Sequence, residues 1–172
     1  MPAALSLEFA RYSLATKAIG LGEHHDSPNA RLVIDEWIKV GIVTDLVLEL
    51  SEPWDDEGVM SPDYLGVVSG LDKKWNNPYP LNKLIRVACE AKVNVHCWDP
   101  GDSYKIKDMN QNVANRNSVI ASKFREHFGR GRYAVTQAPG WVILMGADHF
   151  AKGEQPLSSL LLGLVWADLS PE

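Results

Sequence analysis

The segment "TDLVLEL" at 44–50 is a continuous apolar run rather than an alternation of polar and apolar residues. A strand of that kind is buried on both faces, which is the signature of a parallel sheet covered by helices. "KAIGLG" (17–22) reads as a short apolar strand ending in glycine. "VNVHCWDP" (93–100) reads as a strand stopped by Pro100 and Gly101. "RYAVTQ" and "WVILMG" read as strands on either side of the turn "APG", and "LGLVWADL" as the last strand.

Amphipathic helices fall between these runs. Residues 5–15 read as a short helix. "SPNARLVIDEWIKVG" is a well-marked one, with Ser27 as cap, Pro28 in its first turn, Ala30, Ile34, Trp37 and Ile38 as its apolar stripe, and Gly41 as its end. "LNKLIRVACEAK" (81–92) sets Leu81, Leu84, Ile85 and Ala88 on one face, and "DMNQNVANRNSVIASKFREHF" (108–128) is a long helix. Strand–helix alternation predicts an α/β fold: a single domain over residues 1–172, with a largely parallel or mixed central sheet flanked by helices and right-handed crossovers. A chain of 172 residues suits one domain with a full core. Residues 51–80 are irregular, with five prolines and glycines between Pro53 and Gly70 and acidic residues at 55–57. They read as a lid or long active-site loop, in which "SPDYLGVVSGL" holds a helical turn or two.

Charge excludes some functions. A net charge of −5 gives no reason to expect nucleic acid, which usually needs a basic face. No apolar run reaches the roughly 18–20 residues that span a bilayer. The opening residues lack the basic and apolar regions of a signal peptide. Cys89 and Cys97 form no CxxC pair and read as reduced, buried thiols. The expected location is cytoplasmic, or delivery as part of a larger secreted protein.

The polar residues cluster by position. Gly22-Glu23-His24-His25-Asp26 follows the first strand, Glu49 closes the second, Asp99 follows the third, and Gly146-Ala147-Asp148-His149 follows "WVILM". All lie at carboxyl ends of strands, where open α/β sheets bind ligands. On the long helix, Val113, Ile120 and Phe124 mark the inward stripe, and Arg116 and Asn117 share it. A buried arginine requires a partner, so Arg116 is expected to meet Glu23, Glu49 or an anionic group of the substrate. His25 and His149 are the histidines placed for chemistry. His24 reads as an exposed neighbour, His96 as a core histidine, and His127 as a helix C-terminal residue.

Two histidines and two carboxylates suit a divalent metal, zinc or manganese, held by Glu23, His25, Glu49 and His149, which would activate water. They also suit metal-free work, with histidine as general base and a carboxylate orienting it. There is no HExxH, Walker loop or GxSxG elbow.

"LGEHHD", "LVLEL", "RN" on the long helix and "GADH", in that order, resemble the superfamily that joins Tiki proteases, erythromycin esterases and ChaN-like haem-binding proteins. The two GxxH motifs of Tiki-type members match Gly22–His25 and Gly146–His149. The GExHD of ChaN-like members matches Gly22, Glu23, His25 and Asp26. The GExxH of erythromycin esterases is one residue longer and aligns at Gly22 and Glu23. The resemblance implies a centre of Glu23, His25, Glu49 and His149, with Arg116 holding an acidic partner or substrate. It leaves three expectations. One is a hydrolase of a small-molecule or peptide ester or amide, which can be the catalytic module of a bacterial toxin or effector. Another is a haem or iron binder, with Tyr64, Tyr79, Tyr104 and tryptophans lining an apolar slot. The last is an interaction module with a vestigial rim. The oligomeric state stays open.

Overall fold

The computed structural model describes residues 6–51, 62–100, 108–129, 134–152 and 155–169, with the backbone alone at 62–65. Among them are five strands: β1 (Ile19–Glu23), β2 (Asp45–Leu48), β3 (Asn94–Cys97), β4 (Trp141–Gly146) and β5 (Val165–Asp168). The helices are α1 (Leu7–Leu14), α2 (Asn29–Lys39), α3 (Pro62–Trp75), α4 (Leu81–Glu90), α5 (Met109–His127), α6 (Asp148–Ala151) and α7 (Leu157–Leu160). The strands form one sheet in the order β3-β2-β4-β1-β5, and every pair is parallel. This is the expected α/β fold.

Alternate residues of each strand feed two cores, as a period of two requires. Val142 and Leu144 of β4 join Leu46 and Leu48 beneath α2 and α4. Trp141, Ile143 and Met145 join Val47 on the opposite face, beneath α5. The crossovers through α2 and α4 move toward β3 and lie on the first face. Those through α5 and through α6–α7 move back and lie on the second. Reversing direction and face together keeps one handedness. Chain direction thus switches on both sides of β4, and an open sheet has its ligand crevice at such a switch.

Close packing fixes one residue of β1. A Cβ on Gly20 would stand 2.4 Å from Cε1 of Phe150, so the α6 ring can lie on β1 only over a glycine.

Three local expectations need correction. "AVTQ" at 134–137 is a 3-10 turn, not a strand. β4 already has β1 and β2 on its two sides, so no edge remains for a hairpin partner. Residues 62–75 form a full helix rather than a turn or two; residues 52–61 of the expected lid lie outside the described residues. Gly66 and Gly70 disguised that helix, but a side chain at either would meet only open space, while Val68 is fully buried. Finally, α2 begins one residue later than a Ser27 cap implies, with Pro28 at its N-cap.

Candidate functional site

Because β4 lies between β1 and β2, the residues after these three strands share one crevice. It is a cleft of about 580 Å³ at the carboxyl rim. A second, more open depression of about 700 Å³, near Tyr12 and Gly140, has Glu8 and Arg11 as its only charged lining. The chemistry lies in the first.

Glu49 is the hub. Its Oε2 accepts the Gly146 N–H at 2.7 Å, and its Oε1 accepts Nη2 of Arg116 at 2.5 Å. Nε2 of His149 lies 3.2 Å from Oε1, and Nε2 of His25 lies 3.8 Å from Oε2. Burial alone would raise the Glu49 pKa. The His149 hydrogen bond and the charges of His149, Arg116 and His25 outweigh it and hold the carboxyl well below its usual range. Gly146 lines this convergence: a Cβ there would lie 3.4 Å from Glu49 Oε2 and 3.5 Å from His25 Nε2, ordinary contact distances.

His25 sits in the turn after β1. Its Nδ1 is 3.0 Å from Glu23 Oε1. A carboxylate only accepts, so Nδ1 carries the hydrogen and the neutral ring keeps its Nε2 lone pair facing the cleft. Burial opposes the charged ring, but the Glu23 hydrogen bond and the Glu49 and Glu23 charges raise its pKa above 6.5. One ring face stacks on Trp75, with centroids 4.2 Å apart and planes 12° from parallel.

His149 is buried in the first turn after β4. Its Nδ1 lies 2.6 Å from Oδ1 of Asn117, whose Nδ2 donates to the carbonyls of His149 and Gln155. Those two carbonyls fix the amide orientation, so Nδ1 must donate. Nε2 faces the Glu49 carboxylate, another acceptor. Both ring nitrogens of His149 thus face acceptors.

Arg116 meets Glu49, as expected, but its second partner is Asp99 rather than Glu23. Nε of Arg116 bonds Asp99 Oδ1 at 2.9 Å, and Nη2 bonds Asp99 Oδ2. Glu23 belongs instead to Arg31, which sequence reasoning missed. Nε and Nη2 of Arg31 reach the two oxygens of Glu23 at 2.9 and 3.0 Å. A signal existed: Arg31 precedes Ile34 by three and Ile38 by seven, a cation on an apolar stripe like Arg116.

Glu49, Asp99 and His149 can hold a metal ion, with ligand atoms within 4.8 Å of one another. Glu23 and His25, expected as ligands, lie outside that group. Of the residues expected to line a haem slot, Tyr79 is buried and absent from the cleft lining; Tyr104 and the Tyr64 side chain fall outside the described residues. Trp37, Trp141 and Trp166 fill the cores, while Trp75 walls the cleft. His24 is exposed, and His96 bonds Asp45 and stacks on Trp141. Cys97 is buried as expected, but Cys89 is exposed. Among the described residues no helix is long and apolar enough to cross a membrane.

No protein-family model and no curated protein matches the chain. A solved structure described as "Bacterial protein toxins" shares the fold, with a TM-score of 0.57 at 16% identity. The match covers 92% of this chain and 36% of that one, so the chain spans about a third of the toxin structure's length.

Proposed function

We propose that the protein is a hydrolase of ester or amide bonds, working with His25 as general base and His149 as general acid. The observation that carries this reading is the placing of the two rings about Glu49. Each is tied at Nδ1, but Nε2 of His25 stands 3.8 Å from the carboxylate and opens to the cleft, whereas Nε2 of buried His149 lies 3.2 Å from it, where it can donate. His25 takes the proton of an attacking water. His149 turns its Nε2–H from Glu49 to the leaving atom. Glu49 carries charge balance between them and is itself neutralised by Arg116. Positioned proton transfer of this kind contributes about 10²–10⁴-fold.

The donors Glu49, Asp99 and His149 suit zinc or manganese in kind, and such an ion would polarise the bond under attack. Both carboxylates, however, already bond the Arg116 guanidinium, which fills the place of a cation.

The order of Glu23, His25, Glu49, Arg116 and His149 supports membership of the Tiki, erythromycin esterase and ChaN-like superfamily. The fold likeness to part of a bacterial toxin structure supports a role as a toxin or effector module within a larger protein. The test is turnover of p-nitrophenyl butyrate and of a panel of peptide amides by wild type, His25→Asn and His149→Gln. Both variants are expected to lose about 100-fold or more while keeping the wild-type circular dichroism. Hydrolysis at the wild-type rate by His25→Asn overturns the reading.

A further inference from the structure

The buried cation of α2 has no solvent to serve. Arg31 is fully buried, and all three of its nitrogens are committed. Nε and Nη2 grip both oxygens of Glu23, and Nη1 bonds the Tyr79 carbonyl at 3.1 Å and Asp72 Oδ1 at 3.4 Å. Asp72, on α3, also accepts the N–H groups of Leu81 and Asn82, at 2.6 and 3.1 Å, and so satisfies free donors at the start of α4. One turn after Asp72, Trp75 lies against the face of His25, with the Arg31 guanidinium carbon 6.0 Å from its ring centre. Asn77 then donates to the His25 and Ser27 carbonyls, both at 2.8 Å. The His25 ring edge, ring face and backbone are thus each held by groups that meet around Arg31.

We infer that Arg31 is a positioning residue for His25, acting through Glu23, and that Asp72 couples it to the helix that walls the cleft. The inference rests on the reading of His25 as general base. A carboxylate gripped at both oxygens by a planar guanidinium cannot rotate, so the free lone pair of Oε1, the oxygen beside His25, points in one direction. That direction selects the His25 tautomer with hydrogen on Nδ1 and turns Nε2 to the substrate. Lysine at 31 would keep the charge but not the two-point grip.

The test is long-range proton–nitrogen NMR of the histidine rings at mildly alkaline pH, in wild type, Arg31→Lys and Asp72→Asn, beside turnover of p-nitrophenyl butyrate. Wild type is expected to show His25 with hydrogen on Nδ1. In Arg31→Lys the two tautomers should mix and kcat fall about 10- to 100-fold, with KM nearly unchanged. Asp72→Asn should shift both readouts in the same direction by less. Wild-type His25 ring signals in Arg31→Lys overturn the inference. Should that variant fail to fold, unchanged signals in Asp72→Asn do so. The base reading fails separately, if His25→Asn hydrolyses normally, and the ring spectra still decide the role of Arg31.

Discussion

Asn117 presents its amide oxygen to Nδ1 of His149 at 2.6 Å and uses its nitrogen on two main-chain carbonyls. One buried side chain thus bonds the ring and carbonyl of buried His149 and the carbonyl of exposed Gln155. Asn117→Leu removes all three bonds, two of them buried. An unsatisfied buried group costs about 1–3 kcal/mol, so urea unfolding should show a loss of about 2 kcal/mol or more. An unchanged midpoint would contradict the bonding described.

Activity and stability should respond to pH in opposite directions at His25. As a base the ring works unprotonated. Its pKa is raised above 6.5, so the acid limb of kcat/KM should lie above 6.5. Glu23→Gln removes the charge, weakens the hydrogen bond that raises it, and should move the limb down. For folding, a raised pKa stabilises fully below the unfolded value, and that contribution is lost as pH rises through the folded pKa. The stability difference between wild type and His25→Ala should therefore shrink from mildly acidic to mildly alkaline solution. A difference that grows over that interval would show the shift to be in the other direction.

The guanidinium of Arg116 and a divalent ion compete for the same two carboxylates. Arg116→Met should expose Glu49, Asp99 and His149 as a metal site. Titration calorimetry with zinc chloride is expected to show tighter binding to Arg116→Met than to wild type, lost again in Arg116→Met/Asp99→Asn. Equal affinity in wild type and the single variant would mean that Arg116 does not fill the place of a metal.

Gly20→Ala should destabilise without touching the site. Its methyl would meet the Phe150 ring at 2.4 Å, and overpacking of this kind costs about 1–3 kcal/mol. The double variant Gly20→Ala/Phe150→Leu should recover part of the loss. Thermal unfolding measures both, and additive losses would show that the two positions do not share the contact.

Periodicity carried most of the fold. The stripes on α2, α4 and α5 and the apolar runs of the strands survive in the structure, because each helix needs one face against a sheet buried on both sides. The strand order was not legible, since nothing local says that β4 inserts between β1 and β2. The rim positions of Glu23, Glu49 and His149 were legible from strand ends alone. Their partners were not. Arg116 was placed correctly by its stripe, yet its choice of Asp99 over Glu23 depends on which strand ends adjoin. Trp75 and Asp72 were hidden by the glycines and prolines around them, where tertiary contacts override helix propensity.

β4 is made late in the chain but stands in the middle of the sheet, and β1 and β2 share no hydrogen bonds of their own. A polypeptide emerging amino end first from a ribosome can already pair β2 with β3, but it must wait for residues 141–146 before β1 and β2 are joined. Such distant pairing is slow to form. Until it does, Glu23 and His25 share no wall with Glu49 and His149, and the cleft has not formed.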